Sequence, residues 1–156
     1  MKKNGFSLTE LLVVIGIMVT LMAMAGIAYS TWMNRYRLEG QVREMYVDLM
    51  NARVQAMQMN RIYFVAVAGS SYSLIEDTND SGGPTANTGD VTRWTKQLKY
   101  PSIWLDTVVM DARGLVSPND TVKFNTGVVS AAYDCITLSS TRIRIGRLNG
   151  SDCISQ

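Results

Sequence analysis

Between Leu11 and Asn34 the chain carries 24 consecutive residues without a formal charge, most of them Leu, Val, Ile, Met or Ala. A helix of about 20 apolar residues crosses a hydrocarbon core of roughly 30 Å, so this run is long enough to span a bilayer. Lys2 and Lys3 precede it, and the positive-inside bias then puts the N-terminus in the cytoplasm. A single acid, Glu10, stands between the lysines and the run.

Three readings of this N-terminus compete. A secretory signal peptide would use Lys2 and Lys3 as its basic end and Ala23-Met24-Ala25 as its cleavage site. It gains nothing from Glu10, and the apolar pattern continues past that site through Ile27, Ala28, Tyr29 and Trp32. A plain membrane anchor explains the length but not the acid. A central charge costs roughly 2.5–3.5 kcal/mol on insertion scales, and such residues usually have a partner.

The third reading uses every residue. Lys2-Lys3-Asn4-Gly5-Phe6-Ser7-Leu8-Thr9-Glu10, followed by the apolar run, resembles the class III signal of type IV prepilins. The resemblance implies cleavage by a membrane peptidase between Gly5 and Phe6, methylation of the new N-terminus at Phe6, and an assembly role for Glu10. Cleavage would remove both lysines and expose an ammonium at Phe6. Glu10, buried among stacked helices, would then need a cation. The Phe6 ammonium of a neighbouring subunit would supply it and set the axial register of the filament.

Helical spacing continues beyond the run. Val42, Met45, Tyr46, Leu49, Ala52 or Arg53, and Ala56 follow the i, i+3, i+4, i+7 rule, and no proline occurs between Phe6 and Asn60. One helix of about 55 residues and roughly 80 Å is expected, apolar all round in its first half and amphipathic in its second. After Asn60 the period becomes two. Ile62 to Val67, Tyr72 to Ile75, Thr92 to Leu98, Trp104 to Met110, Thr121 to Phe124, Cys135 to Leu138 and Arg142 to Ile145 read as strands. The fold class is therefore α+β: residues 1–5 a leader, 6–34 a transmembrane and filament-core helix, 35–60 its amphipathic continuation, and 61–156 a β-rich head with an antiparallel sheet packed on the helix.

The helix end Asp48-Leu49-Met50-Asn51-Ala52-Arg53-Val54-Gln55-Ala56 resembles the GspH/FimT group of minor pilins and pseudopilins, which carry a comparable Ala-Arg…Ala pattern. Phe124-Asn125-Thr126-Gly127 resembles their later strand-turn, and Arg142-Ile143-Arg144-Ile145-Gly146-Arg147 their last strand. The function implied is that of a minor pilin contributing to assembly of a type IV pilus. The alternatives are a type II secretion pseudopilin and a DNA-binding subunit for uptake. The implied partners are other pilins, the inner membrane, the assembly platform and the prepilin peptidase. The chain would begin as a single-pass inner-membrane protein with a periplasmic head, and end in a periplasmic or cell-surface filament.

The remaining sites are local. Cys135 and Cys153 flank the terminal strand, and a disulfide between them would close a loop of about 19 residues. Arg142 and Arg144 share a strand face and, with Arg147, form a basic cluster. Some FimT-like pilins bind DNA through a C-terminal Gly-Arg-x-Arg motif; here Gly146-Arg147-Leu148 is followed by Asn149. An amphipathic edge strand is the plainer reading; Arg93, Lys96 and Lys99 would extend a DNA patch if they lay beside it. Asp77, Asn79 and Ser81 alternate ahead of Gly82 as in the first half of a calcium loop, with Thr88 where the bidentate acid belongs and Asp90 two residues later. A solvated loop is the reading taken there, calcium the alternative.

No cofactor and no enzymatic activity are expected. The sequence has no histidine, no Gly-x-Ser-x-Gly and no phosphate loop. Of its ten methionines, eight lie in or beside the long helix, where Met is an adaptable packing residue. With 15 Lys and Arg against 13 Asp and Glu, bulk charge does not favour a polyanion. Trp32 and Tyr36 fit an interfacial aromatic belt at the helix exit.

Overall fold

A computed structural model describes residues 7–79, 89–125, 127 and 131–155, without the side chains of 24–28. Helix α1 runs unbroken over Leu8–Met59, 52 residues, or about 80 Å at 1.5 Å per residue. It ends where Asn60 takes the left-handed conformation (φ 51°, ψ 44°), which asparagine tolerates better than most residues. The amides of Asn60 and Arg61 both donate to the Ala56 carbonyl, closing the last turn.

Leu38, Val42, Met45, Leu49, Ala52 and Ala56 are all buried. Their alternating steps of four and three keep them on one stripe. Leu38 extends the expected stripe by one turn, and Tyr46 packs at its margin.

Nine strands are present among the described residues: β1 Tyr63–Val67, β2 Ser71–Glu76, β3 Val91–Gln97, β4 Thr107–Met110, β5 Val116–Ser117, β6 Thr121–Lys123, β7 Cys135–Leu138, β8 Ile143–Asn149 and β9 Asp152–Ser155. They form two antiparallel sheets where the sequence pattern suggested one, in the orders β3-β2-β1-β4-β5 and β6-β7-β8-β9. Period-two patterning marks a strand but not its partners, so the division was invisible before pairing. The β1–β2 hairpin forms as expected around Gly69, at φ 64°. Strand β4 starts only at Thr107, because the preceding stretch crosses between the sheets. There the Ser102 amide donates to the Gly69 carbonyl and the Ile103 amide to the Lys123 carbonyl. The two-residue β5 and the terminal β9 were too short and too polar to be read from the sequence.

Helix α1 lies over β1 and β4 of the first sheet and β7 and β8 of the second. Its buried stripe joins Val65, Leu74, Val108 and Met110 from one sheet to Val122, Ile136, Leu138 and Ile143 from the other in one core. Everything that buries α1 lies C-terminal to about Leu38. The described side chains of the first half end at Ala23 and resume at Tyr29. Among the described residues no helix is long and apolar enough to cross a membrane. The 24-residue uncharged run that satisfies the length requirement passes through the undescribed side chains.

Candidate functional site

The largest unpartnered surface is the first half of α1. From Leu8 to Ala23 every side chain is exposed, including Leu12 at 66% and Met22 at 71%. A water-soluble monomer has no means of keeping so long an apolar surface wet, and a contiguous patch of this size marks an interaction surface. Glu10 sits in the first turn, exposed, where the helix dipole favours a carboxylate. It is the one acid on this surface from Leu8 to Ala23. Gly5 and Phe6, the expected processing site, lie outside the described residues.

The second half of α1 is locked to the head by polar contacts that helical periodicity did not reveal. Arg53 donates through Nε to the Gly114 carbonyl at 2.6 Å and through a terminal nitrogen to the Thr141 carbonyl at 3.0 Å. Gly114 lies between β4 and β5, and Thr141 between β7 and β8, so one guanidinium ties the helix to both sheets. Gly114 has φ 76°, and a Cβ there would fall 2.6 Å from Met57 Sδ, so α1 needs the glycine to approach this turn. Gln41 exchanges two hydrogen bonds with the Tyr100 backbone, and the Tyr100 hydroxyl donates to the Asn34 carbonyl. Glu39 accepts from the Ala132 amide and pairs with Arg35. Its partial burial would raise the carboxyl, but those two partners, with Arg43, hold it below its usual range.

Across the first sheet, Lys96 Nζ pairs with Glu44 at 2.8 Å and Asp48 at 2.7 Å. The Tyr72 hydroxyl donates to Asp48 at 2.6 Å, and burial together with that bond pushes the phenol well up. Glu76 is buried beneath Arg93 and Arg61. Desolvation pushes its carboxyl up, and Arg93, Tyr63 and Arg61 more than reverse that push. Arg93 is therefore compensated by Glu76 of β2 and Lys96 by Glu44 and Asp48 of α1, and Lys99 lies over the Tyr100 ring. They do not extend a cluster on β8.

That cluster sits on an interior strand, not the edge strand expected: β8 lies between β7 and β9. Ile143 is buried, while Arg142, Arg144 and Arg147 are exposed. Arg142 and Arg144 make no ion pair with a described residue, and Arg147 lines a shallow groove with Leu148, Asn149 and Ile154. Cys135 on β7 and Cys153 on β9 form the disulfide, with Cα atoms 6.1 Å apart. It passes close over Gly146 of β8. A Cβ at Gly146 would lie 2.5 Å from the Ile154 carbonyl oxygen and 2.8 Å from Cys153 Sγ. Gly146 is thus the gap through which the last strand approaches.

A family model described as the prokaryotic N-terminal methylation motif matches residues 1–26. The N-terminus of the chain thus carries a methylation motif of that kind. The crystal structure of the type IV minor pilin FimU of Pseudomonas aeruginosa superposes with a TM-score of 0.51 at 14% identity, covering 74% of this chain and 96% of that one. At that identity the likeness establishes the shared fold: a long N-terminal helix followed by an antiparallel β head. No match is found among curated proteins.

In the head, the loop between β2 and β3 holds the candidate calcium residues. Asp77 is buried, and its carboxylate accepts from the Asn79 amide at 3.3 Å. The Thr78 hydroxyl donates to the Gly89 carbonyl, closing the base of the loop. Asp90 has both carboxylate oxygens out of solvent, with no hydrogen-bond partner among the described residues. Ser81 lies outside the described residues. Among those described, no group of three or more acids, cysteines or histidines converges as a metal site.

Proposed function

We propose that the chain is a minor pilin-type subunit, held in the inner membrane by the first half of α1 and then transferred into a type IV pilus, where that half packs among the helices of other subunits. One observation carries the reading: a single helix buries one face of its second half, Leu38 to Ala56, in its own head while its first half, Leu8 to Ala23, is exposed all round among the described residues. Lipid first and neighbouring helices later are the two apolar environments that such a surface can enter. The mechanism is non-covalent and needs no cofactor. The prepilin peptidase cuts between Gly5 and Phe6, methylation follows at Phe6, and the assembly platform lifts the subunit out of the bilayer. Glu10 then pairs with the Phe6 ammonium of a neighbour, since a buried carboxylate without a counter-charge is costly.

Replacing Glu10 with alanine tests the mechanism. Membrane insertion should persist while incorporation into filaments falls; normal incorporation would refute the pairing. A deletion strain should lose pili and continue secreting, with assembly initiation the step impaired. Intact pili with lost type II secretion would assign the chain to a pseudopilus instead.

The exposure of Arg142 and Arg144 without ion pairs favours a second role, contact with DNA phosphates together with Arg147. Binding of that kind is independent of sequence and weakens with salt. A gel-shift salt series on the intact chain checks it, and the absence of any shift at low salt would remove it.

A further inference from the structure

Where α1 leaves the head, three aromatic rings line up on its outer side. Tyr29, Trp32 and Tyr36 are 61%, 58% and 64% exposed. The Tyr29 and Trp32 ring centroids are 6.2 Å apart, and Trp32 stacks on Tyr36 at 5.9 Å. At about 100° per residue the three fall within roughly 60° of one another, and the buried positions Leu38, Val42 and Met45 lie on the opposite side of the helix. The rings therefore do not serve the head core.

Two features define what meets them. The first is position. The uncharged run ends at Asn34, and the head reaches down to the same level, with the Tyr100 hydroxyl on the Asn34 carbonyl. The stripe thus straddles the boundary between the apolar run and the polar head. The second is charge. Arg35 and Arg37 are the first charged residues after the run, one on each side of the stripe. Arg35 pairs with Glu39, whereas Arg37 is exposed and makes no ion pair with a described residue. Amphipathic rings backed by cations match the headgroup layer of a bilayer, where Tyr and Trp settle with their polar edges toward water and Arg meets phosphate. A neighbouring apolar helix would offer nothing to Arg37.

We propose that Tyr29, Trp32 and Tyr36 seat the chain in the phosphate layer of the membrane, with Arg37 on lipid phosphates, so that the head rests directly on the bilayer surface before extraction. This rests on the membrane-anchored reading above. It adds a fixed depth for the helix and a defined height for the head.

The test uses the full chain reconstituted in vesicles of phosphatidylethanolamine and phosphatidylglycerol. Subtracting the spectrum of a Trp32→Phe variant from that of the parent isolates Trp32 from Trp94 and Trp104. The expected result is flotation with the vesicles, a several-fold drop in acrylamide quenching of Trp32, and stronger quenching by lipids brominated near the glycerol than near the methyl end. Flotation with Trp32 fully open to acrylamide would overturn the seat alone. So would stronger quenching by the deep bromines. Shielding from acrylamide without quenching by either brominated lipid would mean that a second chain covers the stripe, which also overturns it. Failure to float would overturn the anchor and the seat together.

Discussion

The two halves of α1 obey the same backbone rules and have opposite relations to the rest of the chain. Residues 35–59 alternate buried and exposed faces, and their stripe from Leu38 to Ala56 is fully covered by two sheets. Residues 8–23 are exposed all round among the described residues. Helix continuity is therefore not evidence of shared stability: one face of the second half is part of a folded core, and the first half is exposed among the described residues.

The sharpest way to break this comparison is to make the same substitution on each side. Leu49→Ala removes a side chain with no exposure and should destabilise the head by roughly 2–5 kcal/mol. Leu12→Ala should leave the melting temperature of the detergent-solubilised chain unchanged. Equal effects would mean that the first half does contribute to the head.

Next in size is the disulfide. Cys153→Ser should cost about 3 kcal/mol in the chain-entropy model, read by denaturant unfolding, without changing how the first half of α1 enters membranes. Arg53→Met follows. Losing two hydrogen bonds from a charged donor, while keeping a long apolar side chain, should cost about 2 kcal/mol, because only this residue ties the second half of α1 to both Gly114 and Thr141.

The smallest expected effect is a pH dependence. The folded pKa of Glu76 is lowered, so its stabilisation is complete above the ordinary glutamate value of about 4.3 and is lost as pH falls through the folded value. Acid titration of the melting temperature should therefore show a steeper loss for the parent chain than for Glu76→Gln. Identical acid limbs would show that the Arg93 and Arg61 pairs add nothing.

Several features were legible because they are local and periodic. The spacing from Val42 to Ala56 and the alternation in β2 survive in the structure, whereas β1 is buried at Tyr63, Phe64, Val65 and Val67. Other features depended on which segments meet. Hydrophobic alternation did not reveal that the strands divide into two sheets, nor that β8 is interior, because pairing partners lie far apart in sequence. The basic residues illustrate the same limit. Arg93 and Lys96 looked equivalent to Arg142 and Arg144 until Glu76, Glu44 and Asp48 came beside the first two.

By itself, then, the sequence determined a long helix that begins in a 24-residue uncharged run behind one acid and leads into a β-rich head, since helix period, strand period and charge-free length are properties of neighbouring residues. Only the tertiary structure decided that Arg53 joins both sheets, that Gly146 lets Cys153 reach Cys135, and that Arg93 and Lys96 are paired with acids. Those outcomes arise from contacts between distant segments, and a short-range pattern carries no record of which segments will meet.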